Sequence, residues 1–177
     1  FVWQLGLSQA TEEQAIAALS FVPARLFEPP ADAPTLVLAW PWITIATSMF
    51  LHGGLLHIGG NMLYLWLFGR GAEGALGPVR FLLFYFICGA AAALTQGFMN
   101  PTAEVPMIGA SGAIAGVLGA YLVLFPRGNV VVFFWIFVFV RLVTVPAVIL
   151  LGLWFLMQLL SAFSADPGEP GAQAGHV

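Results

Sequence analysis

The sequence predicts an all-α membrane protein, and three observations carry that expectation. Hydrophobic residues make up 60% of the 177-residue chain and charged residues only 7%, against roughly a quarter charged in a soluble domain. The mean hydropathy is +0.96. Four strongly apolar segments succeed one another after residue 47, and one of them is too short to cross a bilayer. Lipid is therefore the expected solvent for most of the surface, and the length suits one helical domain over residues 1–177.

The N-terminal end, Phe1-Val2-Trp3-Gln4-Leu5-Gly6-Leu7, reads as the tail of an apolar helix. Residues 9–47 form the least apolar long stretch. Within it, Glu12-Glu13-Gln14 followed by Ala15, Ile16, Leu19 and Phe21 predicts a short amphipathic helix at the interface. Pro23, Pro29, Pro30, Pro34 and Pro41 interrupt the chain beyond that helix. The expectation is an interfacial first loop.

The apolar segments are then placed at about 55–68, 79–98, 111–125 and 146–163. The second starts behind Gly77-Pro78, a fitting helix entry. The third ends at Pro126-Arg127-Gly128-Asn129. The stretch 130–163 exceeds one ordinary span of roughly 20 residues. Arg141 and Pro146 divide it into a membrane-buried connection and a final span. With helix remnants at both ends, the count is six transmembrane helices, the first and last incomplete.

The third segment carries the functional expectation. At roughly 1.5 Å per residue it cannot cross a hydrocarbon core of about 30 Å. Its start lies inside the membrane, where backbone polar groups need protein or water. Ser111 stands at that start, within Gly109-Ala110-Ser111-Gly112. Alone, such a serine is more often a helix cap. Arg70, Arg80 and Arg127 cluster on one predicted side, which the positive-inside rule makes cytoplasmic. Ser111 then sits near the outer face.

His52, His57 and Asn61 form H-x4-H-x3-N in an otherwise apolar region. His57 and Asn61 are one helical turn apart on one face. Polar groups at membrane depth are costly and face a cavity or the bundle interior. They serve either as hydrogen-bonding glue between helices or as donors to a reaction. A metal site is not expected, because no H-E-x-x-H and no nearby acid accompanies them. His176, near the C-terminal end, is a weak signal alone. Together these residues fit nucleophilic catalysis by a serine, a histidine base and neutral donors to an oxyanion. The chain has no lysine and five arginines, a poor basis for binding nucleic acid. Cys88 has no second cysteine to pair with and reads as a small packing residue. No cofactor is implied.

His52-Gly53-Gly54-Leu55-Leu56-His57-Ile58-Gly59-Gly60-Asn61, Gly109-Ala110-Ser111-Gly112 and Ala174-Gly175-His176 together resemble the rhomboid intramembrane serine proteases. The resemblance implies a rhomboid-like bundle of six transmembrane helices with a water-filled site open to the non-cytoplasmic side of a bacterial inner membrane. It implies Ser111 as nucleophile and His176 as general base. Asn61, His57 and the backbone N–H of Ser111, with Ala110, would hold the oxyanion, and His52, Gly109 and Gly112 would support the site. Residues 146–158 would match the gating helix, and 9–47 the interfacial first loop. The implied partners are transmembrane protein substrates and membrane lipid. The sequence departs from that pattern in two ways. The histidine helix stops one residue after His176, so the chain as it stands is expected to be inactive. Ala115 occupies a position where an aromatic residue is common. The rival expectation is a non-catalytic rhomboid-like protein that binds client transmembrane helices.

Overall fold

The computed structural model describes residues 2–27, 41–136 and 139–164. After a 3-10 turn at Gln4–Gly6, Ser8 caps helix α1 (Gln9–Leu19) by accepting from the Thr11 N–H at 3.4 Å, which satisfies one of the helix's orphan donors. Pro23 opens α2 (Pro23–Phe27) and Pro41 opens α3 (Pro41–Thr47); proline suits a first helical position because its missing N–H is not needed there. Residues 28–40 of the expected interfacial loop lie outside the described residues.

The helix that carries His57 and Asn61 starts at Leu55 and runs without a break in helical backbone to Leu76, as α4 (Leu55–Tyr64), a π-turn at Leu65–Gly69 and α5 (Arg70–Leu76). It extends well past the apolar segment at 55–68. The extension is more polar and includes Arg70 and Glu73. It stops at Gly77, whose φ of +82° favours glycine and whose N–H donates to the Glu73 carbonyl at 2.7 Å; this is a helix end with a proline restart directly behind it. Helix α6 (Pro78–Met99) begins there. Its 22 residues measure about 33 Å, enough for a bilayer core. Only 17% of its most apolar window is buried, and Val79, Leu82, Leu83 and Ile87 face outward. Exposure of that many large apolar side chains on one long helix calls for an apolar solvent.

Helix α7 (Ser111–Leu124) has 14 residues, about 21 Å. It packs most extensively on α6 and also meets α4, the π-turn, α5 and α8. Ile114, Val117 and Leu118 are buried. Ile114 and Leu118 join Phe68, Ala110, Ala147 and Leu151 in one apolar cluster that fixes α7 against both neighbours. A second cluster of Phe21, Ile45, Met49, Ala93 and Ala113 holds the first loop against the α6–α7 pair. There, Phe21 and Met107 exchange backbone hydrogen bonds at 3.1 and 2.7 Å.

The fold is predominantly helical, as expected, and the connection between α7 and α8 is its one strand pair among the described residues. It is an antiparallel hairpin, β1 (Asn129–Ile136) against β2 (Phe139–Pro146), with Asn129 opposite Pro146 and Val132 opposite Val143. The cause is compositional. Val130, Val131, Val132, Val143, Thr144 and Val145 are β-branched, and such residues fit a pleated surface better than a helix. The Ala147 N–H donates to the Gly128 carbonyl at 2.8 Å and closes the hairpin base. Helix α8 (Ala147–Ser164) leaves from there.

Candidate active site

Ser111 occupies the first turn of α7. Ala110, the preceding residue, is 1% exposed and accepts from the Ile114 N–H at 2.9 Å. Gly109 has φ of +117°, a conformation that favours glycine, and its N–H donates to the Ser48 carbonyl at 2.9 Å. The Gly109 turn therefore bends the chain into α7 and ties the serine loop to the segment before α4. The Ser111 side chain is 3% exposed, and its Oγ has no hydrogen-bond partner among the described residues. The cap position of α7 is Ala110, and the Ser111 Oγ bonds to no backbone N–H among the described residues, so Ser111 does not act as a capping residue. A buried, unmatched hydroxyl costs about 1–3 kcal/mol, and such groups concentrate where a fold serves chemistry.

Asn61 lies on α4, one of the helices that meets α7. It is 6% exposed, and its Nδ2 also lacks a partner among the described residues. His57 stands one turn earlier. Its Nδ1 accepts from the Gly53 N–H at 3.4 Å, which assigns the proton of the neutral ring to Nε2. His52 is 3% exposed and meets His57 edge to face, with ring centroids 5.1 Å apart. Burial first and the neighbouring His57 second lower the His52 pKa from 6.5 to about 4, while a backbone hydrogen bond at Phe50 opposes them. His52 is thus neutral at physiological pH.

The close approach of α6 and α7 beside Ser111 rests on small residues. A Cβ placed on Gly112 would lie 2.5 Å from the Ala92 Cβ, so the two backbones are nearer than any larger residue allows. Gly116 receives Cys88 in the same way one turn on, in keeping with a packing role for that cysteine. A cavity of about 30 Å³ opens between Ser48, Met49, Gly89, Met107, Gly109 and Gly112, room for a water or two at roughly 10–15 Å³ each.

Of the residues singled out from sequence, the structure gathers Gly109, Ala110, Ser111 and Gly112 at the start of α7, with His52 just before α4 and His57 and Asn61 on it. His176 lies outside the described residues. Ala115 is exposed. Trp154 packs on Tyr64 with centroids 5.9 Å apart, whereas Phe155 and Met157 face outward. No group of three metal-ligating side chains occurs among the described residues. Gln4 was not among the sequence candidates, yet its side chain is 2% exposed and bonds to His52. A single glutamine in an apolar tail has no spacing signal to reveal it.

The sequence profile of the Rhomboid domain matches residues 39–177. The chain belongs to the rhomboid family. A rhomboid protease from Bacillus subtilis, GluP, is 38% identical over 92 residues, which cover 52% of this chain and 18% of that protein. Rhomboid protein 1, mitochondrial, from Saccharomyces cerevisiae is 37% identical over 95 residues, covering 51% of this chain and 28% of its own length. RHOMBOID-like protein 1 from Arabidopsis thaliana is 40% identical over 76 residues, covering 43% and 19%. The matched part is thus less than a third of each of these relatives. No solved structure matches the chain. The family, the outward apolar surface of α6 and the predominance of helix identify a mostly helical integral membrane protein with rhomboid protease relatives.

Proposed function

We propose that this protein is an intramembrane serine endopeptidase that hydrolyses peptide bonds in or near transmembrane segments of other membrane proteins. The observation that carries the reading is the Ser111 hydroxyl, buried and unmatched at the start of a helix too short to span a bilayer, with α4 and its Asn61 packed alongside. In the proposed reaction, Ser111 Oγ attacks the scissile carbonyl carbon and its proton passes to the His176 imidazole. The carbonyl oxygen becomes an oxyanion, held by the Asn61 amide, the His57 Nε2–H and the backbone N–H of Ser111, with Ala110 at the same turn. The α7 N-terminus adds its dipole to that charge. His176 then protonates the departing amine, and water releases the acyl group by the same steps in reverse order. His52, Gly109 and Gly112 support the site.

The bundle of this reading has six transmembrane helices, and α8 gates lateral entry of the substrate. The expected grouping of Arg70, Arg80 and Arg127 on one side supports a site that opens toward the non-cytoplasmic face. The test is labelling by a fluorophosphonate in membranes that contain the full-length protein. Labelling lost in both Ser111→Ala and His176→Ala supports the dyad. Equal labelling of wild type and both variants overturns it and favours a non-catalytic protein that binds client helices.

A further inference from the structure

The Gln4 side chain occupies the place that a neighbouring β-strand would take beside His52. Its Nε2–H donates to the His52 carbonyl at 3.1 Å, and its Oε1 accepts from the His52 N–H at 3.2 Å. Both backbone groups of one residue are thus served by one side-chain amide, 48 positions away in the chain. The second Nε2 hydrogen faces Glu12 Oε1 on α1 at 3.4 Å. Gln4 is 2% and His52 3% exposed, so water cannot replace these bonds, and losing either leaves a buried backbone group unmatched.

Few side chains can do this. A carboxylate accepts but cannot donate to the His52 carbonyl, methionine does neither, and asparagine is one methylene too short. The opposite end of the same segment is tied too. The Ser48 carbonyl accepts from the N–H groups of both Leu51 and Gly109, at 3.2 and 2.9 Å. Residues 48–52 are therefore stretched between Gln4 and the turn that precedes Ser111. From that fixed backbone the His52 ring meets His57, one helical turn before Asn61.

We propose that Gln4 is a positioning residue of the active site: its amide fixes the His52 backbone, and through the His52 ring it sets the orientation of His57. The proposal rests on the protease reading for its kinetic consequence. Loosening Gln4 leaves substrate binding in place and degrades the support of developing charge, so kcat falls and KM does not.

The test compares Gln4→Met and Gln4→Glu with wild type, all as the full-length protein in proteoliposomes, using a cleavable transmembrane substrate. Gln4→Met is expected to lower kcat by about 10-fold or more, with KM changed less than about 2-fold. Gln4→Glu supplies the sharper readout. Charged, it repels the His52 carbonyl; protonated, it donates again, and the nearby Glu12 carboxylate favours the protonated form. Glu12 and His52 are the titratable residues that Gln4 bonds to, and His57 lies beyond the His52 ring. The ratio of Gln4→Glu to wild-type kcat is expected to rise as pH falls from 8 to 5, a trend that lost packing does not produce. Wild-type kcat in both variants overturns the proposal, as does a ratio flat with pH whose deficit follows the loss of folded protein. Should wild type and Ser111→Ala be equally inactive, the protease reading fails, and histidine-selective nitrogen NMR then decides this inference. Shifted ring resonances of both His52 and His57 in Gln4→Met uphold it, and an unmoved His57 sinks it.

Discussion

The His52 ring stands edge-on to the His57 ring, with centroids 5.1 Å apart and planes at 69°. Burial first, and the adjacent His57 ring second, favour the neutral form of the His52 imidazole. With its pKa lowered from 6.5 to about 4, folded His52 refuses a proton that the unfolded chain accepts throughout that window. Stability attributable to this group is therefore highest above pH 6.5, falls as pH drops, and is gone below about 4. Thermal unfolding of the detergent-solubilised protein at pH 7, 5.5 and 4.5 checks the sign. His52→Gln should lose less stability than wild type over the same interval. Equal losses in the two proteins would remove His52 as the cause.

Ser111→Ala separates stability from chemistry. Removing the unmatched hydroxyl removes a desolvation cost, and the methyl group left behind suits the apolar cluster around Ala110 and Ile114. The variant should be as stable as wild type or up to about 1 kcal/mol more stable, while fluorophosphonate labelling and peptide cleavage disappear. A variant destabilised by more than about 2 kcal/mol would show instead that the hydroxyl is a structural hydrogen-bonding group.

How far the sequence already contained this fold varies element by element. Long apolar runs and the Gly77-Pro78 break were sufficient for α6, because helix entry and exit have local chemistry. The start of α7 was legible for the same reason, since Gly109 needs the positive φ that it adopts. The β1–β2 hairpin was not, because Val130–Val132 and Val143–Val145 read equally as a buried helix or as strands until their pairing is seen. The extension of α4 through the π-turn to Leu76 was hidden by Arg70 and Glu73, which look like a loop to a hydropathy argument. In the site, His57 and Asn61 showed their common face through spacing. Gln4 acts across a tertiary contact that no local pattern encodes.

Asn61→Ala tests the oxyanion assignment. The side chain is buried with its Nδ2 unmatched among the described residues, so its loss should cost little stability. Loss of one oxyanion donor should lower kcat by about 10²–10³-fold with KM nearly unchanged. His57→Ala should show a smaller kcat deficit if Asn61 is the principal donor. An Asn61→Ala protein with normal kcat would move the oxyanion elsewhere in the site.

Gly112→Ala sets two expectations of opposite sign against each other. Helix propensity favours alanine over glycine by roughly 0.8–1.0 kcal/mol in a helix interior. The structure argues the reverse, because the new Cβ would lie 2.5 Å from the Ala92 Cβ, a clash between two atoms fixed to helix backbones. Neither has a rotamer to escape through, so α6 and α7 must part, at a cost of about 1–3 kcal/mol. The net effect should be destabilising, and cleavage should fall as well, since Gly112 adjoins Ser111 and moves with it. Ala92→Gly in the same chain removes the opposing methyl group and should restore both stability and cleavage. Thermal unfolding and turnover of the two single variants and the double variant complete the cycle. A stable, active Gly112→Ala protein would mean that the helices are not in contact at this point, and that small residues here do not set the position of the serine.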